Sequence, residues 1–106
     1  MPESDHHRPW EPGRALSNAD LARIFKALGD PVRVRLLLLI GHSQATECGF
    51  ADLERIFDMP QSSLSHHLHV MVNAGILVRQ RRGTSSWYSL APSVHGALQE
   101  LTTVLS

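Results

Sequence analysis

Between Pro60 and Leu90 the spacing of apolar positions changes, and the change predicts a helix followed by two paired strands. Leu64, Leu68, Met71 and Val72 recur at the i, i+4, i+7, i+8 spacing of one helical face. Opposite them lie Ser62, His66, His69 and Asn73, where a solvated helix ordinarily carries Glu and Lys. Asn73, Ala74 and Gly75 predict a left-handed stop, with Ile76 placed for the accompanying apolar contact. Two strand-like runs follow, Ile76 to Arg81 and Ser85 to Leu90, around a glycine turn at Gly83.

Upstream, Leu21, Ile24, Phe25 and Leu28 share one face of a first helix capped by Ser17 or Asn18 and ended at Gly29. Asp30 and Pro31 suit the cap and first position of a second helix running to about Ile40. Its apolar residues lie on most sides, which predicts a central buried helix with Arg33 and Arg35 as the exposed exceptions. After a loop from Gly41 to Thr46, Leu53, Ile56 and Phe57 predict a short third helix with Asp52, Glu54 and Arg55 outward. Asp58, Met59 and Pro60 turn the chain into the fourth. Pro92 opens a last helix in which Val94, Leu98, Leu101 and Leu105 share a face. Residues 1–15 hold three prolines and a glycine without periodicity, so a flexible arm is expected ahead of a domain spanning 16–106. Trp10 within it suits either a pin against the body or a partly exposed aromatic.

A chain of 106 residues has room for one domain with an ordinary core. Its single cysteine, Cys48, excludes an internal disulfide framework, and a reducing cytoplasmic setting is expected. The polar, proline-broken start is not the apolar core of a signal peptide, and the longest apolar run, Leu36 to Ile40, is far too short to span a bilayer, so no membrane association is expected. A formal net charge of zero argues against an indiscriminate polyanion binder. The charge is unevenly placed, however. Through Pro60 there are seven Lys or Arg against nine Asp or Glu, and beyond it three Arg against one Glu, with four of the seven histidines. A surplus this small implies few phosphate contacts per chain and a need for two chains.

The order helix, helix, short helix, turn, helix, hairpin, helix, with the segments FKALGDPVRVRLLLLI (Phe25 to Ile40) and LSHHLHVMVNAGILVRQRRGTSSWYSL (Leu64 to Leu90), resembles the ArsR/SmtB family of small bacterial transcriptional regulators over roughly residues 18 to 105. The resemblance implies a mainly α winged helix-turn-helix, α-α-α-α-β-β-α, acting as a homodimer through its first and last helices. It implies that the fourth helix enters the major groove of a palindromic operator in double-stranded DNA, while the arginine hairpin reaches the neighbouring minor groove or backbone. Gln61, Ser62, Ser63, Ser65 and His66 then lie on the first turns, where recognition helices contact base edges, with Gln61 suited to adenine and His66 to guanine. His69 stands where many members carry Lys or Arg, and Pro60 where many carry a Ser or Thr cap. Arg79, Arg81, Arg82 and Thr84 form the wing, with Arg79 and Arg81 on one face of their strand. His67, on the flank, is expected to be packed or bonded to the backbone rather than to read DNA, and Trp87 and Tyr88 to point to opposite faces of the returning strand.

Family members often bind a metal ion that weakens their hold on DNA. Where the third helix begins, the family's Cys-x-Cys pair is reduced here to Cys48, with Phe50 in the second place, so a thiophilic arsenite or cadmium site lacks its sulfur set. On the last helix the family's Asp-x-His reads Ser93, Val94, His95, and the second half of that site would begin at Ser106. His95 could be completed by His6 and His7 of the arm beside Asp5, the arm being delivered by the second subunit of a dimer, a donor set suited to nickel, cobalt or zinc. His42 has no evident ligand partner. There is no nucleophile elbow, phosphate-cradling glycine loop or pair of core carboxylates, so an enzyme is not expected. The sequence therefore predicts a sequence-specific DNA-binding repressor, metal-responsive or metal-independent. A winged-helix module that binds protein and a metal buffer are the rivals.

Overall fold

The computed structural model describes the backbone of residues 16–105 and the side chains of residues 16–99. The expected arm, with Asp5, His6, His7 and Trp10, lies outside the described residues, as do the side chains of Leu101 and Leu105. Five helices and three strands follow in the order α1 (Asn18–Ala27), α2 (Pro31–Gly41), β1 (Glu47–Gly49), α3 (Phe50–Ile56), α4 (Gln61–Asn73), β2 (Leu77–Arg82), β3 (Ser85–Leu90) and α5 (Pro92–Leu105). None of these helices is long and apolar enough to cross a membrane.

Local chemistry sets most of the boundaries. Ser17 caps α1 through a reciprocal pair of bonds, its Oγ accepting from the Asp20 amide at 3.1 Å while the Ser17 amide donates to the Asp20 carboxylate at 3.0 Å. Asp30 caps α2 by accepting from the amides of Val32 and Arg33, and Pro31 gives up nothing at a position where its missing N–H has no helical acceptor. At the end of α4 the Ile76 amide donates to the Met71 carbonyl and the Gly75 amide to the Val72 carbonyl, closing the helix around Gly75 at φ 82°. Between β2 and β3, Gly83 takes the first place of a two-residue loop at φ 62°, and its partner Thr84 stays out of the left-handed region.

The core runs between α2, α3, α4 and the sheet. Leu36, Ile40, Leu53, Leu64, Leu68, Met71 and Ile76 are wholly buried there. Thus the apolar stripe of α4 is fastened to the body, and its opposite face is left outside.

The sheet has three strands, not the two of a simple hairpin. β1 pairs antiparallel with β3, Cys48 opposite Tyr88, and β3 pairs with β2, giving the order β1-β3-β2. The chain reaches β1 from α2 through a turn in which Ala45 and Thr46 both hold positive φ, 59° and 50°. That conformation is uncommon outside glycine and marks a forced change of direction. Helix faces also depart from expectation. Phe25, expected on the packed face of α1, is 64% exposed, and Leu38 of the supposedly buried α2 is 52% exposed. In α3 the burial falls on Leu53 and on Phe57 just past its end, while Ile56 faces outward.

Candidate nucleic-acid interface

At about 100° per residue, the buried stripe Leu64, Leu68 and Met71 places Ser62, His66, His69 and Asn73 on the far side of α4. All four are exposed, as are Gln61, Ser63 and Ser65 on its opening turns. No side chain caps the start of α4, where Pro60 holds extended φ and ψ of −57° and 145°. The Ser63 amide turns back to the Pro60 carbonyl at 3.0 Å, so the amides left without a helical acceptor are those of Gln61 and Ser62. Near the other end Asn73 and His69 hydrogen-bond at 3.0 Å, Nδ2 to Nε2, which steadies both side chains on the outer surface.

The wing stands beside this face. Arg79 is opposite Tyr88 and Arg81 opposite Ser86, so the two arginines share the side of the sheet turned toward α4. Together with Ser65, His69, Asn73 and Tyr88 they line an open groove of about 590 Å³. Arg79 donates to Ser86 Oγ from two nitrogens at 2.9 and 3.2 Å, while Arg81 has only a long bond, 3.4 Å, to the Gly83 carbonyl. Both guanidiniums therefore keep donors for a further acceptor.

Arg82 is placed differently. It lies on the other face of the sheet, where its two terminal nitrogens donate to the Glu47 carboxylate at 2.7 and 3.0 Å and its carbon sits 4.8 Å from the centre of the Trp87 ring. One guanidinium thus starts on β2, crosses β3 and is held by β1. It ties the wing to the strand that sequence reasoning missed. Trp87 belongs to this clamp and Tyr88 to the opposite, buried side, as the alternation of the strand requires.

The hydrogen bonds from Arg82 hold the Glu47 carboxyl below its ordinary value of 4.5, outweighing the opposing effect of partial burial. A carboxylate lowered on folding stabilises the folded form above its unfolded value, and that contribution is lost as pH falls through the lowered one. The clamp should therefore hold at neutral pH and loosen only in acid, below about pH 4.5. Amide resonances of Arg82 and Trp87 followed by NMR should show one acid transition that is missing in Glu47→Gln. The same transition in the variant would mean that another group is responsible.

His67 sits on the flank of α4, half-buried, with Nδ1 3.0 Å from Arg33 Nη1. Arginine has no acceptor, so it donates and the imidazole nitrogen receives. The same guanidinium donates from Nε to the Ala27 carbonyl at the end of α1. Arg33, expected to be simply exposed, instead joins α1, α2 and α4.

The residues considered for metal binding do not form one centre. Cys48 is buried, its Sγ 2.9 Å from Ser43 Oγ, beside a cavity of about 680 Å³ that Trp87 and Glu47 also line. Phe50 packs against the core and brings no donor. His95 faces a separate cavity of about 540 Å³ with His42, whose Nδ1 is bonded to the Leu38 carbonyl. His6 and His7 lie outside the described residues. Among the described residues no three His, Cys, Asp or Glu side chains converge on one point, so these alone do not furnish the donor set of a nickel, cobalt or zinc ion.

Comparison with known proteins places this geometry. A helix-turn-helix domain family matches residues 28–80, the segment from the end of α1 into the wing. An arsenical resistance operon repressor of Bacillus subtilis is 35% identical over 77 residues, 72% of this chain and 71% of that protein. The transcriptional regulator NmtR of Mycobacterium tuberculosis is 33% identical over 84 residues, 79% of this chain and 68% of its own length. In solved structures, a homodimeric winged helix-turn-helix DNA-binding domain from Mycobacterium bovis superposes with a TM-score of 0.68 at 22% identity, covering 87% of this chain and 88% of that one. These relatives are transcriptional regulators, not enzymes. With a helix-turn-helix match over half its length, and a repressor relative of this identity and coverage, the chain belongs to the ArsR/SmtB family of winged helix-turn-helix transcriptional regulators.

Proposed function

We propose that this regulator is a homodimeric repressor that reads a palindromic operator with α4 and braces itself on the sugar-phosphate backbone with its wing. The observation that carries the reading is the groove between α4 and β2, where Ser65, His69 and Asn73 face Arg79 and Arg81. Neutral hydrogen-bonding groups suit base edges, and cations with free donors suit phosphates. In this reading Gln61, Ser62, Ser63, Ser65 and His66 meet base edges. His69, Arg79, Arg81 and Thr84 meet backbone or minor groove, and Arg82 acts chiefly by stiffening the wing through Glu47.

Dimerisation through α1 and α5 is part of the proposal. Phe25 supplies its support, an aromatic ring left mostly in water on a helix whose other side is packed. Two copies related by a two-fold axis would set their recognition helices about one DNA turn apart.

The test is binding of the duplex upstream of the chain's own gene, measured by fluorescence anisotropy between about 50 and 200 mM salt, the range over which phosphate contacts are strongly screened. Salt-sensitive binding, tighter than to an unrelated duplex of equal length, is expected. A salt-independent or sequence-indifferent result would favour the protein-binding alternative. The metal-responsive form of the function draws support from His42 and His95 sharing a cavity, with His6 and His7 as the further donors. Repeating the measurement with nickel, cobalt or zinc tests it, and unchanged affinity with all three would leave a metal-independent regulator.

A further inference from the structure

The wing covers only one side of α4. On the other side a second open groove, of about 360 Å³, separates α4 from the first two helices, with Arg23, Lys26 and Arg33 on one wall and Val70, Asn73 and Ala74 on the other. Asn73 borders both grooves, this one and the one beneath the wing. It therefore marks a crest, with Arg79 and Arg81 on one slope and three cations of the N-terminal half on the other.

The charges on that second slope are not equivalent. Arg23 is paired with the buried Asp20 carboxylate at 2.6 Å, and Arg33 is committed to Ala27 and His67, near the Asp30 cap. The ammonium of Lys26, exposed in the last turn of α1, has no hydrogen-bond or ion-pair partner among the described residues. Among the described residues Arg23 and Arg33 of this groove lie beside the carboxylates of Asp20 and Asp30, and Lys26 lies beside none. The helical spacing also turns Lys26 and Arg23 away from the Phe25 side of α1, so a dimer contact through Phe25 leaves them accessible.

A helix with its side chains is about 10–12 Å across, and the major groove is about 12 Å wide, so a helix seated there has a phosphate backbone along each flank. The wing accounts for one. We infer that Lys26, with Arg23 beside it, contacts the phosphate backbone on the flank opposite the wing. The DNA face then includes cations from the half of the chain whose charge is negative overall. This inference rests on the DNA-binding reading above and adds a surface to it.

Its test is the salt dependence of binding by the 106-residue chain, compared for wild type, Lys26→Gln, Lys26→Arg and Arg81→Gln on the upstream duplex and on an unrelated one. Losing one phosphate contact per protomer should lower the slope of log K against log salt by about 2 for a dimer. Lys26→Gln should show that loss on both duplexes alike, and Lys26→Arg should keep the wild-type slope. A wild-type slope in Lys26→Gln, alongside a lowered one in Arg81→Gln, would overturn the second flank and leave the wing reading intact. Absence of salt-dependent binding in the wild type would remove both.

Discussion

Replacing Arg79 and Arg81 together by alanine should weaken operator binding by on the order of a thousandfold at moderate salt, with the fold unchanged. Each arginine is exposed, each faces α4, and each keeps donors beyond its bonds to Ser86 or Gly83. Two arginines on each protomer of the proposed dimer make four contacts, and an exposed ionic contact worth about 1 kcal/mol, roughly five- to sixfold apiece, multiplies to that figure. The loss should be nearly equal on operator and unrelated DNA, because phosphates carry no sequence information. His66→Ala should behave differently, lowering affinity for the operator while leaving non-specific binding in place. Anisotropy titrations beside far-UV circular dichroism would separate these outcomes from unfolding. Operator affinity within about threefold of wild type in the double arginine variant would misplace the wing.

The contrast between these arginines and Arg82 shows what a sequence can disclose. Alternation along β2 puts Arg79 and Arg81 on one face, and this much was legible, whereas Arg82, expected beside them on the DNA-facing wing, falls on the other face because the strand runs one residue further than predicted. The use made of the other face was not, because Glu47 lies 35 residues away on a three-residue strand too short for any period. The same distinction runs through the molecule. Helix α4, its glycine stop and the glycine turn of the hairpin are local devices, each specified by neighbours in the chain, and all of them are found where the sequence predicts. Groups that join distant segments escaped: Arg33 with His67, the second groove beside α1, and β1, reached only through the forced turn at Ala45 and Thr46. Periodicity also cannot say which apolar face meets its own core and which meets another molecule. Leu21, Ile24, Phe25 and Leu28 form one helical stripe on paper, yet Ile24 is buried and Phe25 is not.

That division of α1 leads to the second large effect. Phe25→Asp should convert the proposed dimer to a monomer and lower affinity for a two-half-site operator by about 10²- to 10⁴-fold, the range lost when two linked binding events become independent. Phe25 is 64% exposed, flanked by the half-buried Leu21 and Leu28, while Ile24 and Ala27 hold α1 to the body from the opposite side. Full burial of a phenylalanine side chain contributes roughly 1.5–3 kcal/mol, and two-fold symmetry counts it twice. A carboxylate in its place removes that gain and sets two like charges in a desolvated contact. The fold should survive, since the ring contributes little to the monomer's own core. Sedimentation equilibrium at micromolar concentration should report the monomer, circular dichroism an unchanged helix content, and a single half-site duplex the same weak affinity as for wild type. An undisturbed dimer would move the interface off α1. Loss of half-site affinity as well would show that the substitution reaches α4, which shares with α1 the groove lined by Lys26 and Arg33. Phe25 and Lys26 are adjacent in sequence but about 100° apart on the helix, so α1 can face the second subunit with one and DNA with the other.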